Sequence, residues 1–209
     1  MAKLNFRKIS EPYEIENFFT LATHHSGVRL PSAYAERATI YGAFIGDHLA
    51  GGYMLVTKPD YRTLMFVPDH CKREHAFFGN SAYEMMEINA LWLGTRIKTP
   101  QMQLRFWTNL ILTVFFCRKK YLLLLSNTKN KTILRLVQMA NPTILYEGPP
   151  QLAGGQSTHQ SIRVGYTTRW SILLHFPRYL KEIADRKRRF KETRRAQIAH
   201  QLARDVPAQ

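Results

Sequence analysis

The stretch from Tyr83 to Gly94 is mostly apolar, but it carries two polar residues, Glu87 and Asn89, two positions apart. Side chains two positions apart on a β-strand point to the same face, so a carboxylate and a carboxamide would lie side by side. Buried polar groups need hydrogen-bond partners or a ligand. The pair therefore predicts either structural hydrogen bonds to neighbouring loops or one wall of a site, in which Glu87 is a candidate general base.

Further polar residues stand at the ends of predicted strands. Ser126 and Asn127 directly follow Tyr121–Leu125, an apolar run typical of a strand buried in a parallel sheet. Open α/β sheets bind ligands at the carboxyl ends of such strands, so both residues are candidates for a site. Tyr146 closes a later strand and is a candidate proton donor.

The cysteines and histidines do not predict a metal site. Cys71 and Cys117 are widely separated in the sequence, which favours reduced thiols. His70, Cys71 and His75 lie within six residues, and three ligands so close together rarely complete a site without a fourth. The chain also lacks the motifs of serine hydrolases, P-loop nucleotide-binding proteins and dinucleotide-binding proteins.

The composition indicates a globular, strongly basic protein. Of the 209 residues, 45% are hydrophobic, and the formal net charge is +15. Six of these net positive charges belong to residues 177–209 and nine to the rest of the chain. Such a field favours a polyanionic partner: nucleic acid, an acidic carrier protein or an anionic membrane surface.

The start of the chain and its longest apolar run indicate a cytoplasmic protein. Residues Met1–Arg7 do not resemble a secretory signal. The apolar run from Leu110 to Cys117 is too short to span a membrane. We therefore expect no membrane-spanning segment.

Periodicity and turn residues predict an α+β fold with a mixed sheet. The predicted strands are Leu4–Ile9, Thr39–Ile45, Leu49–Val56, Tyr83–Leu93, Tyr121–Leu125, Thr143–Tyr146, Ser161–Tyr166 and Arg169–Phe176. The predicted helices are Tyr13–His24, Pro100–Arg118, Thr132–Ala140 and a basic C-terminal helix from Pro177 to about Ala203. This order predicts an antiparallel front half, a β-α-β-α-β back half, and two parts of the chain: a domain over 1–176 and a basic tail over 177–209.

The order of these elements resembles that of the GNAT N-acyltransferases. A narrower resemblance begins at Glu87-Ile88-Asn89-Ala90-Leu91-Trp92, which is similar to the Glu-Leu-Asn-Arg-Leu-Trp strand of the phage Mom-like DNA-modification proteins, a divergent GNAT branch. Similar pieces follow in the same order over roughly residues 40 to 180: Lys98-Thr99-Pro100, Phe106, Trp107, Tyr121–Ser126, Gln138, Asn141, Tyr146-Glu147-Gly148 and Pro177–Leu180.

The resemblance implies acyl transfer from acetyl-CoA or another acyl thioester to an amine. The donor's arm would lie between the fourth and fifth strands, with its pyrophosphate at the start of the next helix. Catalytic roles would fall to Glu87, Asn89, Ser126 and Tyr146. An oxyanion would be held by a backbone N–H near Leu91 or Trp92. The residues expected to contact the donor are Leu91, Trp92, Leu93, Arg96, Lys98 and Asn127.

The basic tail would supply the contacts to nucleic acid. Phosphate contacts by lysine and arginine are independent of base sequence and depend strongly on salt. The candidate nucleic-acid-binding residues are Arg178, Arg186, Lys187, Arg188, Arg189, Arg194 and Arg195.

The chain also departs from the family patterns. Ala90 stands where the Mom-like strand has arginine, Asn127-Thr128-Lys129 replaces Tyr-Ala-Asp, and an apolar residue near Val137 replaces a tyrosine. Residues 94–103 lack the Arg-x-x-Gly-x-Gly phosphate signature of ordinary acetyltransferases. Two alternatives therefore stay open: a catalytically degenerate GNAT-like module that binds nucleic acid or a protein assembly, and an N-acyltransferase that depends on an acyl carrier protein.

Overall fold

The computed structural model describes residues 3–26, 29–30, 33–129, 131–150 and 161–204. The strands are β1 (Leu4–Ile9), β2 (Ala38–Ile45), β3 (His48–Val56), β4 (Met85–Leu93), β5 (Tyr121–Asn127), β6 (Thr143–Gly148) and β7 (Ile162–Thr168). The helices are α1 (Pro12–Ser26), α2 (Ala33–Glu36), α3 (Arg62–Met65), α4 (Asp69–Glu74), α5 (Pro100–Phe116), α6 (Lys131–Met139) and α7 (Arg169–Arg204).

The seven strands form one mixed sheet in the order β1-β2-β3-β4-β5-β7-β6. Strands β1 to β4 are antiparallel to their neighbours, β4 and β5 are parallel, and β5, β7 and β6 are again antiparallel. Helix α5 makes the crossover that a parallel pair requires. The predicted α+β mixed sheet is thereby confirmed.

Alternate residues of the central strands point into two hydrophobic layers. Met54, Met85 and Leu123 point to the α1 face, where α1 to α4 lie. Met86 and Leu122 point to the α5 face, which is covered by α5, α6 and α7. The sheet is therefore buried on both sides in its centre, as the apolar runs of β4 and β5 predict.

The start of β4 differs from its prediction. Tyr83 does not belong to the strand but to a 3₁₀ turn over Ala82–Glu84, and its ring is exposed. The hydroxyl of Ser81 accepts the N–H of Tyr83 at 3.3 Å, which caps this turn and delays the strand to Met85.

The segment Arg169–Phe176 is helical, so its prediction as a strand was wrong. Thr168 ends β7, and its hydroxyl accepts the N–H of Ser171 at 3.1 Å, as an N-cap residue does. Ile172 and Tyr179 are buried on the α5 face and hold the helix against the sheet. Pro177 lies inside α7, so the predicted boundary between 1–176 and 177–209 falls within one continuous helix. None of the helices in the described part of the chain could span a lipid bilayer, because none combines the necessary length with a sufficiently apolar sequence.

Gly51 and Gly52 lie where other parts of the molecule approach β3 closely. A Cβ atom on Gly52 would stand 2.5 Å from the backbone oxygen of Tyr41 and 2.7 Å from the ring of Phe18. No side chain larger than the hydrogen of glycine fits at position 52, because a backbone oxygen that belongs to a β-ladder cannot move away.

Gly52→Ala is therefore expected to reduce the free energy of unfolding by about 2–3 kcal/mol through overpacking. Gly79→Ala is the matched control, because a Cβ on Gly79 would meet no atom within 4 Å. Urea unfolding of both variants measures the difference. Equal midpoints for the two variants would contradict the close approach at Gly52.

Candidate active site

Glu87 is completely buried and accepts three hydrogen bonds from groups in the described part of the chain. Its Oε1 accepts the backbone N–H of Arg62 at 3.0 Å and the amide of Asn89 at 2.8 Å, and its Oε2 accepts the backbone N–H of Thr63 at 2.9 Å. The N–H groups of Arg62 and Thr63 belong to the first two residues of α3. Tyr61 stands at the N-cap position, and its side chain does not cap the helix. The Glu87 carboxylate occupies the capping position instead, where an anion also complements the helix dipole.

The hydrogen bond between Glu87 and Asn89 shows that the two side chains lie on the same face of β4, as their spacing predicts. A carboxylate offers about four acceptor positions, and three are occupied here. Glu87 therefore holds the loop before α3 against the sheet, and one of its acceptor positions has no partner among the described residues. The contact to α3 was not predicted, because Arg62 lies 25 positions earlier in the chain.

Two tyrosines that the sequence did not single out surround this carboxylate. Burial raises the pKa of Tyr34 and of Tyr61, and the negative charge of Glu87 raises both further. The Tyr61 hydroxyl lies 2.7 Å from the carbonyl oxygen of Met85, whereas the buried Tyr34 hydroxyl has no hydrogen-bond partner among the described residues. Neither tyrosine belongs to a motif, so only the fold reveals them.

The ladder between β4 and β5 is short. It pairs Met85–Glu87 with Tyr121–Leu123 and then ends, although both strands continue. From Ile88 to Leu93, the edge of β4 that faces β5 therefore has no ladder partner on β5. The backbone groups along this edge are available to a ligand that lies between the two strands.

A bulge lies on β4 beside this opening. In the ladder with β3, Gly52 pairs with Trp92 and Met54 with Asn89, so β4 contains one residue more than β3 over this stretch. Ala90 has a φ of 48°, a left-handed conformation that costs a non-glycine residue about 1–2 kcal/mol. The bulge reverses the alternation of side chains between the two faces of β4, so that Trp92 packs on the α1 face. The donor contacts predicted at Leu91, Trp92 and Leu93 all lie at or after this bulge.

The loop between β4 and α5 carries Arg96 and Lys98, both exposed. As predicted, α5 begins at Pro100, and the Thr99 hydroxyl accepts the N–H of Met102 at 3.2 Å. Pro100 has no N–H, and that of Met102 is already engaged, so this helix start offers fewer free N–H donors than an uncapped one. An anion at this helix start would depend on the two cationic side chains.

The structure does not bring Ser126 and Tyr146 together with Glu87. Ser126 follows Leu122 and Leu124 on the α5 face of β5, so it lies on the opposite side of the sheet from Glu87. Its buried hydroxyl has no hydrogen-bond partner among the described residues. Tyr146 lies on β6, which is separated from β5 by β7, and its hydroxyl donates to the Pro149 carbonyl at 2.7 Å.

Asn127 ends β5, and its Oδ1 accepts the N–H of Lys129 at 2.9 Å. The amide therefore stabilises the turn that follows the strand, as asparagine side chains do in Asx turns. Its predicted contact with the donor stays a prediction.

The predicted nucleic-acid-binding residues all lie on α7. The side chains of Arg178 and Arg188 are exposed, and Arg188 lies 3.6 Å from Asp185. The side chains of the other predicted contacts fall outside the described part of the chain: Arg186, Lys187, Arg189, Arg194 and Arg195. No group of three potential metal ligands occurs among the described residues.

Solved structures with the same fold are GNAT acetyltransferases and related N-acyltransferases. An N-acyl amino acid synthase from uncultured soil microbes superposes with a TM-score of 0.60 at 12% identity, over 82% of this chain and 94% of that chain. An acetyltransferase of Bacillus subtilis in complex with CoA gives 0.54 at 14% identity, over 79% and 99% of the two chains. A GNAT family acetyltransferase from Elizabethkingia anophelis with acetyl-CoA bound gives 0.51 at 13% identity, over 79% and 97%.

The protein therefore has the GNAT fold. Identities this low establish the fold alone. No family model matches the chain, and no curated protein matches its sequence.

Glu87→Gln is expected to reduce the free energy of unfolding by about 1–3 kcal/mol, because the new amide NH₂ would face a backbone N–H that now has an acceptor. Glu84→Gln is the matched control, since Glu84 is exposed and lies just before β4 begins. Chemical unfolding of both variants measures the effect. Equal stability of the two would show that Glu87 does not cap α3.

Proposed function

We propose that the protein is an N-acyltransferase that moves an acyl group from a thioester donor to an amine. The observation that carries this proposal is the opening between β4 and β5, where the ladder ends at Glu87 and Leu123 beside the bulge at Ala90. It leaves one strand edge free for the donor. Structures with the same fold that were solved with CoA or acetyl-CoA support a thioester as the donor.

The reaction follows from the groups along this opening. The amine nitrogen attacks the thioester carbonyl carbon, the new C–N bond forms, and the C–S bond breaks. A backbone N–H near Leu91 or Trp92 stabilises the negative charge on the carbonyl oxygen. Glu87 accepts the proton that the amine loses, and Asn89 orients the substrate beside it. The departing thiolate takes up one proton from solvent, and Glu87 releases one to solvent, which restores the carboxylate. We assign no step to Ser126 or Tyr146, because they lie on other parts of the sheet.

The phosphates of a CoA donor would be held by Arg96 and Lys98 rather than by a row of helix N–H groups. This follows from the capped start of α5, where Pro100 lacks an N–H and Thr99 engages another. A donor attached to an acidic carrier protein would suit the same cations.

The Arg96→Gln/Lys98→Gln double variant should raise KM for acetyl-CoA about fivefold, equivalent to roughly 1 kcal/mol for exposed charges. KM for the acetyl thioester of N-acetylcysteamine, which has no phosphates, should not change. Thiol release in the presence of an amine panel measures both. Lys8→Gln, at an exposed position on β1, is the control.

The wild-type assay also separates the enzyme from a degenerate module. No amine-dependent thiol release with CoA, cysteamine or carrier-protein thioesters would overturn the proposed activity. Stabilisation by CoA thioesters without turnover would favour the catalytically degenerate alternative, since a ligand that binds the folded state raises its stability.

As a second candidate, we propose that the acceptor amine belongs to nucleic acid, as in the Mom-like proteins. The net charge of +15 and the exposed Arg178 and Arg188 on α7 favour this. The basic residues on this helix would contact phosphates, and these contacts would be independent of base sequence.

DNA binding should weaken steeply with salt. Replacing Arg186, Lys187, Arg188 and Arg189 with glutamine should reduce the slope of log K against log salt by about 0.9 for each phosphate that the variant no longer neutralises. The control variant has the same change of charge, because it carries glutamine at four other exposed basic positions: Lys3, Lys8, Lys58 and Arg73. Fluorescence anisotropy measures the slopes, and mass analysis of nucleosides detects transfer. Equal slopes for the two variants, or no acylated base, would count against this acceptor.

A further inference from the structure

An apolar cavity of about 100 Å³ lies on the α5 face, over the gap between β4 and β5. Its floor is formed by Ile88 and Leu91 of β4 and by Leu122 and Leu124 of β5. The rest of its lining comes from α5, from α6 and from α7. These residues are Trp107, Leu110, Ile111, Val114, Val137, Ala140, Ile172 and Tyr179.

The cavity exists because of the two irregularities that define the candidate active site. The ladder of β4 and β5 ends at Glu87 and Leu123, so Leu91 and Leu124 are not drawn together by backbone pairing. The bulge at Ala90 then turns Leu91, rather than Ala90, toward the α5 face. The cavity therefore lies directly beside the strand edge at which the thioester is proposed to bind.

The side chains that line the cavity favour a hydrocarbon ligand over a polar one. Among the described residues that line it, Tyr179 has the only ionisable side chain, and burial raises the pKa of that tyrosine to about 12, so these side chains are uncharged near neutral pH. The exposed surface of the lining is almost entirely apolar, so burying the amide groups of a pantetheine arm there costs free energy. An aliphatic chain has no such cost and is stabilised by leaving water.

The volume limits the length of that chain. An apolar cavity of about 150 Å³ binds benzene, so a cavity of about 100 Å³ has room for roughly three or four carbon atoms. Three carbons beyond the carbonyl correspond to a butyryl group.

We propose that this cavity binds the hydrocarbon end of a short acyl chain, so that the donor is an acyl thioester of about four carbons rather than acetyl. This rests on the proposed acyl transfer, since the chain enters from the thioester at the β4 edge. It adds the class of acyl group, which neither the fold nor the strand opening specifies.

A series of CoA thioesters from acetyl to octanoyl, with the wild-type protein, tests the proposal. Binding by calorimetry and kcat/KM should both rise about fourfold for each methylene up to butyryl, which is the transfer free energy of one buried methylene expressed as a ratio. Both should fall for the longer chains.

Three variants locate the effect. Ala140→Leu fills the cavity and should abolish the preference for butyryl over acetyl. Leu122→Ala enlarges it and should move the optimum to a longer chain. Leu123→Ala is the matched control, because Leu123 is equally buried on the same strand but points to the α1 face. It should lower stability without moving the optimum.

The outcomes separate the two proposals. The cavity would be overturned as an acyl site if kcat/KM fell from acetyl onward or did not vary with chain length. An equal shift of the optimum in Leu122→Ala and Leu123→Ala would overturn it as well. Each of these results would leave acyl transfer intact. Failure of every thioester to bind or react would overturn acyl transfer itself, and the cavity proposal with it.

Discussion

The sheet is held together at its centre by a parallel ladder of three residue pairs between β4 and β5. This ladder joins the antiparallel front half to the back half, so the relative position of the two halves depends on it. Beyond Glu87 and Leu123, the two strands separate, and helices α5, α6 and α7 cover the gap on one side. The free strand edge follows from the point at which this ladder stops, and the apolar cavity follows from that point together with the bulge at Ala90.

Glu87 occupies the last position of that ladder, and its carboxylate performs a structural task there. It binds the N–H groups of Arg62 and Thr63 at the start of a helix that has no cap of its own. A buried carboxylate is stable only with such partners. The same three hydrogen bonds also fix the side chain beside Asn89, which is the rigidity that a proton acceptor in a site needs. In the proposed reaction, structural and chemical roles would coincide at this residue.

Positively charged residues lie on the loop before α5 and on helix α7. Arg96 and Lys98 lie on the loop before α5, next to a helix start whose N–H groups are partly engaged. In the proposed reaction, cations in this position would compensate for missing backbone donors, because both stabilise phosphate by the same electrostatics. The charge on α7 lies on a helix that packs against the sheet through Ile172 and Tyr179 near its start.

Local patterns were sufficient for most of the elements. Alternation predicted Leu4–Ile9 with the observed bounds, and Thr99-Pro100 predicted the start of α5, because turn residues and caps act on their immediate neighbours. The segment Arg169–Phe176 was assigned wrongly, because its helix is stabilised by a cap at Thr168 and by burial of Ile172, which the short apolar run does not reveal.

By itself, the sequence determined that a carboxylate and an amide share one face of the central strand, that the fold is a mixed α+β sheet, and that the protein is basic. The tertiary structure alone decided which groups meet. It placed Arg62 and Tyr34 near Glu87, put Ser126 on the opposite face, moved Tyr146 two strands away from β5, and opened the cavity beside Leu91. The reason is that spacing along a chain specifies the direction of a side chain on its own strand, whereas its partners depend on strand order, register and bulges, which are set by contacts between residues far apart in the sequence.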